Sequence, residues 1–190
     1  MNKMNLVRWQ KKGYLVKIIN GWYCFADHYS DENIPWLSAN LIYQPSYISL
    51  HTALSFYNLI PEAIYTTTSI TTKKTKQFLT KIGNFSYHKI KPSVFGFGHT
   101  LIDYRKFTDV SSGIGTISRK IVIAELEKAI LDFFYINTQY DTEKEITNLR
   151  FNYSVLKDMD KTRFNKYLNR FDNKALNERI YLMQKVYAIH

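Results

Sequence analysis

Apolar positions along the chain fall into a few patterns, and the first is short. In Leu6-Val7-Arg8-Trp9-Gln10-Lys11-Lys12-Gly13, Leu6 and Trp9 stand three apart on one helical face, while Arg8, Lys11 and Lys12 share the other. Gly13 supplies the left-handed residue with which such a helix ends. Two β-branched or aromatic runs follow, Tyr14 to Ile19 and Trp22 to Phe25, joined by Asn20-Gly21. Asn-Gly suits the two positive-φ positions of a type I′ turn, so the pattern predicts a β-hairpin.

Beyond it, Asp27 to Pro35 is polar and aperiodic, the best candidate for a boundary. Trp36 to Tyr43 rebuilds an apolar pattern. Ser49 is placed as the N-cap of a short helix whose Leu50, Ala53, Leu54 and Tyr57 recur at i, i+3, i+4 and i+7, and which ends before Ile60-Pro61. Ala63 to Thr72 is mostly β-branched and predicts a strand. Gln77 to Leu79 and Phe85 to Ile90 predict two more, separated by a turn at Gly83-Asn84, and Phe95-Gly96-Phe97-Gly98 predicts a tight bend. Arg119 to Ile123 has the composition of a buried strand. It runs into a helix over Ala124 to Tyr135, where Leu126, Ala129, Ile130 and Phe133 form a stripe that Leu131 and Phe134 widen; this is the most buried helix expected. Towards the C-terminus Phe164, Tyr167, Leu168 and Phe171 make one helical stripe, and Leu176, Ile180, Met183 and Tyr187 make another. Asp160 or Thr162 would start the first, and Asp172-Asn173 would separate the two.

The 190 residues suffice for one domain or two small ones, and 45% hydrophobic with 16% aromatic composition excludes a disordered tail. Charge adds a partner class. With 26 Lys+Arg against 16 Asp+Glu the chain carries +10, which favours nucleic acid, an anionic membrane surface or an acidic protein. No acid precedes Asp27, and none lies between Glu62 and Asp103, where Lys73, Lys74, Lys76, Lys81, Lys89 and Lys91 fall. The basic helix, glycine and hairpin match the second half of a winged helix-turn-helix, in which the helix enters the major groove and cations hold phosphates. The same pattern occurs in small α+β domains with a solvated basic face, and the residues alone leave both open. The lone Cys24 excludes an internal disulfide, and no apolar run has the length of a membrane span, so a soluble intracellular protein without membrane contact is expected.

Catalytic chemistry finds little support. A metal-dependent nuclease would use Asp103 and the Glu125-Leu126-Glu127-Lys128 segment, but the position two before Lys128 is leucine and the stretch is helical by pattern. Glu125, Glu127 and Lys128 are better explained as capping and balancing a helix start. His28 beside Asp27 and Asp31 is too sparse for a metal site, and His51, His88, His99 and His190 have no ligand spacing. Phe95-Gly96-Phe97-Gly98 and Ser112-Gly113-Ile114-Gly115 lack the partners of a nucleotide-binding loop. We therefore expect no enzyme, cofactor or metal.

Several segments, in order, carry a family resemblance: Leu-x-Arg-Trp-x-x-Lys-Gly-Tyr-Leu from Leu6 with Gly21-Trp22-Tyr23; Ala39-Asn40; Pro45-Ser46-Tyr47-Ile48-Ser49-Leu50 with Ala53-Leu54; Leu59-Ile60-Pro61-Glu62; the threonine-rich strand with Lys73-Lys74-Thr75; and Glu127-Lys128-Ala129-Ile130-Leu131-Asp132. Over about residues 5 to 135 the chain resembles the AbiEi-type antitoxin and transcriptional regulator family. The resemblance implies a bacterial, non-enzymatic antitoxin of a type IV toxin-antitoxin system that represses its own operon by binding promoter DNA. It also implies that the protein counteracts a co-encoded nucleotidyltransferase toxin without needing to touch it. Family winged helices begin with further helices, and five residues precede Leu6 here, so a partial DNA reader is expected.

The resulting expectation is an α+β chain. Residues 1–27 form a partial winged-helix element (helix plus hairpin wing), residues 36–137 a mixed α/β antitoxin-like domain, and residues 138–190 a C-terminal helical region. Arg8, Lys11, Lys12 and Lys17 would contact DNA, with Lys73, Lys74 and Lys76 adding phosphate contacts. The alternative is an interaction module that neutralises a toxin by direct contact without DNA.

Overall fold

The computed structural model describes residues 3–28, 34–105 and 118–189. The Ser112-Gly113-Ile114-Gly115 stretch weighed as a nucleotide-binding loop, the Asp31 weighed beside His28, and His190 lie outside them.

Helix α1 (Lys3–Lys11) half-buries Leu6 and Trp9 and exposes Arg8, Lys11 and Lys12. It ends as expected, with Gly13 at φ +75 and the Tyr14 amide donating to Trp9 O at 2.9 Å. Strands β1 (Leu15–Ile19) and β2 (Trp22–Phe25) pair antiparallel. Their turn is not type I′, because only Gly21 (φ +86) takes a positive φ and Asn20 does not. A turn of the wrong twist would splay the strands, and a register shift between Lys17 and Ile19 accommodates it.

The second sheet has the strand order β5-β6-β4-β3-β8-β7, comprising β3 (Ser46–Ile48), β4 (Thr66–Thr71), β5 (Lys76–Thr80), β6 (Gly83–Lys89), β7 (His99–Arg105) and β8 (Ser118–Ala124). It is mixed: β3 runs parallel to β8 and β4 parallel to β6, while the other pairs are antiparallel. The tight turn between β5 and β6 lies at Lys81-Ile82, not Gly83-Asn84; both of the latter pair within the β-ladder, Gly83 with Thr80 and Asn84 with Leu79. Two strands carry no readable signal of their own. β3 is three residues long, too short for alternation, and β7 is placed by its seven-pair ladder with β8.

Helix α2 (Ile34–Ile42) takes Pro35 in its first turn, where the missing amide costs nothing, and covers one sheet face. There Ala39 O accepts from Tyr87 at 2.7 Å and from Ser46 Oγ at 3.3 Å. The side chain of Asn40 brackets Val122 on β8: its Nδ2 donates to Val122 O at 3.2 Å and its Oδ1 accepts from Val122 N at 2.6 Å. The other face carries α3 (Leu50–Phe56) and α5 (Leu126–Ile136), every residue of α5 from Glu127 to Phe134 being buried. α8 (Lys161–Phe171) and α9 (Lys174–Val186) pack on α5 through the predicted stripes, burying Phe164, Phe171, Leu176, Ile180 and Met183 in the same core as Ile48 and Phe133. Asp160 caps α8 by accepting from Arg163 N, Asp172 ends it at φ +44, and Asn173 caps α9. Between them and α5 lie α6 (Glu143–Asn148) and α7 (Tyr153–Lys157), capped by Thr142 and Asn152 and too short to show a stripe. A one-turn helix, α4 (Pro92–Phe95), precedes the bend at Gly98.

The chain is thus a mixed α+β protein. No helix among the described residues is long and apolar enough to cross a membrane.

Candidate nucleic-acid interface

Alternation along β5 decides where its lysine goes. Lys76 and Phe78 are two apart, so they share a face, and their partners on β6, Tyr87 and Phe85, share it too. That face meets the end of α2, where the ring of Tyr43, the residue after the helix, packs edge-on to Phe78 (centroids 5.8 Å) and Tyr87 (5.0 Å). The tyrosine is fixed further by donating its hydroxyl to Lys74 O at 2.9 Å. Strand β1 of the hairpin packs beside β5. Between them opens a groove of about 530 Å³, walled by Ile19, Ile42, Tyr43 and Phe78, with Lys17, Lys76 and Asn20 completing its lining.

Cations crowd its aromatic wall. Lys73 Nζ lies 5.4 Å and Lys76 Nζ 5.8 Å from the Tyr43 centroid, and Lys76 is also 4.8 Å from the Phe78 centroid, all within cation–π range. No carboxylate among the described residues forms an ion pair with Lys73 or Lys76; Lys128, Arg150, Arg163 and Lys185 pair with acids elsewhere.

Of the residues predicted to meet DNA, Lys17 and Lys76 come together across the groove although they are distant in sequence, and Lys73 joins Lys76 over Tyr43. Lys74 is exposed, with its carbonyl holding Tyr43. Arg8 and Lys11 line a separate shallow depression of about 460 Å³ with Met4 and Val7, and Lys12 is exposed at the helix end. The pattern reading missed Tyr43 and Phe78. The Lys76-Gln77-Phe78 alternation was the available signal, but the expected strand began one residue too late to include Lys76.

No family model matches the chain, and the search of curated proteins finds no match.

A second polar cluster lies within the core. Lys128 and Asp132, one helical turn apart on α5, form an ion pair with both side chains at 0% exposure. Asp132 Oδ2 accepts from Tyr47 at 2.9 Å and from Ser49 Oγ at 2.8 Å, while Lys128 Nζ donates to Tyr47 Oη at 2.8 Å. The ammonium also lies over the rings of Tyr47, Phe97 and Phe171. Burial pushes the Asp132 carboxyl up and the Lys128 ammonium down, each effect opposed by the other partner's charge; Tyr47 is raised by burial and then by Asp132.

This cluster corrects two expectations. Glu125 stands at the N-cap position of α5 and Glu127 in its first turn, as expected, although the Glu125 side chain makes no capping bond and Glu127 Oε1 accepts from Asp160 N at 3.1 Å; Lys128, by contrast, does not balance the helix start but is buried and pairs with Asp132. Ser49 stands at the N-cap position of α3, but its hydroxyl caps nothing because Asp132 takes it.

Burial holds His51 and His88 below the ordinary histidine value. Glu62 partly opposes the shift at His51, and the nearby His51 charge adds to it at His88, whose Nε2 lies 3.0 Å from Ser86 Oγ.

Proposed function

We propose that this protein is a DNA-binding regulator of the antitoxin type. It would repress its own operon at promoter DNA and counteract a co-encoded nucleotidyltransferase-type toxin without needing to bind it. In this reading α1 and the hairpin act as the recognition helix and wing of a winged helix, with Arg8, Lys11, Lys12 and Lys17 on DNA and Lys73, Lys74 and Lys76 extending the phosphate contacts. The observation that carries the reading is the meeting of Lys17 and Lys76 in one groove, with Lys73 over its Tyr43 wall, where no carboxylate among the described residues lines the space; these lysines come from the two acid-free stretches of the chain. Clustered cations without counter-charges bind phosphate and release counterions.

The test is a gel shift with DNA from upstream of the operon over a salt series. With every one of these cations engaged, log K falls against log salt with a slope of about −6, and each Lys→Gln change at Lys17 or Lys76 reduces that slope by about 1. No binding at about 50 mM salt, or affinity indifferent to salt, overturns the reading.

One observation favours the second reading, neutralisation of a toxin by direct contact. Met4 and Val7 are 76% and 53% exposed and lie beside Arg8 and Lys11 on one face of α1. Co-purification with the neighbouring gene's product, abolished by Val7→Glu, would select it over the regulator.

A further inference from the structure

The groove is not built for phosphate alone. A duplex presents a convex, charged backbone that needs cations on an open surface, as Arg8, Lys11 and Lys12 provide. The groove between the hairpin and β5 is concave, and four of its walls, Ile19, Ile42, Tyr43 and Phe78, are carbon surfaces that a phosphate cannot use. Its volume of about 530 Å³ lies within the range of small-ligand sites, about 300–1,000 Å³, and exceeds what one planar base requires.

The aromatic wall is also rigid. Tyr43 and Phe78 both lean on Tyr87, whose ring is fully buried and whose hydroxyl is tied to Ala39 O. Lys73 and Lys76 stand over these rings, where a base entering the groove would stack while the ammonium groups move to its flanking phosphates. Asn20, at the tip of the hairpin, brings an amide with both donors and acceptor to the same space. Stacking surface bordered by cations is the arrangement by which proteins hold unpaired strands, since every base has a π-face.

We propose that this groove binds single-stranded nucleic acid, seating an unpaired base against Tyr43 and Phe78 with the adjoining phosphates on Lys17, Lys73 and Lys76. The proposal rests on the nucleic-acid reading above and narrows it, because it assigns the groove to unpaired rather than duplex substrate. The hairpin supplies one wall and the sheet edge the other, so neither element holds the strand alone.

The test uses the full chain and fluorescence anisotropy with labelled oligonucleotides of about 12 nucleotides, within the roughly 4–16 that single-strand-binding modules cover: oligo-dT, oligo-U, a duplex of equal length, and oligo-dT with abasic residues at its centre. Unpaired strands are expected to bind more tightly than the duplex, and the abasic strand, which keeps its phosphates, about tenfold more weakly than oligo-dT. Phe78→Leu is expected to lose a similar factor for oligo-dT and none for the abasic strand. A difference between oligo-dT and oligo-U identifies which strand chemistry the groove prefers.

Equal binding of intact and abasic strands, or a duplex held as tightly as the single strand, overturns the proposal and leaves the DNA-binding reading standing. No binding of any of the four overturns both. Should Phe78→Leu fail to fold, the comparison of intact with abasic strands still decides.

Discussion

Replacing Asp132 by alanine takes a carboxylate out of a site without solvent contact and leaves the equally buried Lys128 ammonium with no counter-charge. Removing one member of a buried ion pair costs about 3–5 kcal/mol, because the surviving charge has neither water nor partner. Tyr47 and Ser49 lose their shared acceptor at the same time, and an unsatisfied buried hydroxyl costs about 1–3 kcal/mol. Two effects reduce the sum. Burial already pushes Lys128 towards its neutral form, and the Tyr47 hydroxyl can turn towards a deprotonated amine. We expect a net loss of about 4 kcal/mol, a large share of the roughly 5–15 kcal/mol by which domains are stable.

In urea, with a slope of about 2 kcal/mol/M, the unfolding midpoint of Asp132→Ala then falls by about 2 M, measured by circular dichroism against the wild type. A second variant isolates the cause. Combining Lys128→Met and Asp132→Leu with Tyr47→Phe and Ser49→Ala removes every polar member of the cluster, and it should recover most of the loss because no charge is stranded. A midpoint shift below about 0.5 M for Asp132→Ala, or a quadruple variant no better than the single one, refutes this account of the core.

Gly98 sits at φ +69, and a Cβ built there lies 2.8 Å from Lys128 Cβ and 3.0 Å from Tyr167 Cε2; Gly98→Ala should therefore cost about 2–3 kcal/mol in the same urea assay, with a loss under about 0.5 kcal/mol counting against the packing described. Because burial lowers His51 and His88 in the folded state, the unfolded chain binds more protons in the window between those lowered values and the ordinary 6.5. The stability they carry is complete above about pH 6.5 and is lost as the pH falls through that window. Unfolding midpoints at pH 7.5 and 5 should differ less in the His51→Gln, His88→Gln double variant than in the wild type, and an equal difference would remove the histidines from the explanation.

Elements whose own residues face the core were legible. The stripe from Phe164 to Phe171 and the crowding along Ala129 to Phe134 follow from helical period alone, because the apolar side needs no knowledge of its partner. Asp160 and Asn173 were legible for the same reason, a cap being a local bargain between a side chain and the next turn. The Lys128–Asp132 pair was not. At i and i+4 on a helix it has the spacing of an ordinary solvent-facing ion pair, and its enclosure comes from Tyr47, Ser49, Phe97 and Phe171, all distant in sequence. Ser49 misled similarly: its position is that of a cap, and the competing acceptor lies 83 residues away. The acid-free lysines were visible as two stretches, but their meeting depends on β1 packing beside β5, a contact that no local pattern encodes.

The large sheet is joined across its middle by little backbone: β3 and β8 share a single paired position, Ile48 with Ile123. The Asn40 amide grips Val122 on one side of that seam, while the neighbouring carbonyl of Ala39 takes the hydroxyl of Tyr87 from the other. α2 is therefore a clasp as well as a cover, and Tyr43, the residue that follows it, forms part of the groove wall. The chain that lines the groove at Ile42 and Tyr43 runs directly on from the turn of helix whose side chain and carbonyl tie four strands of the sheet to the other two.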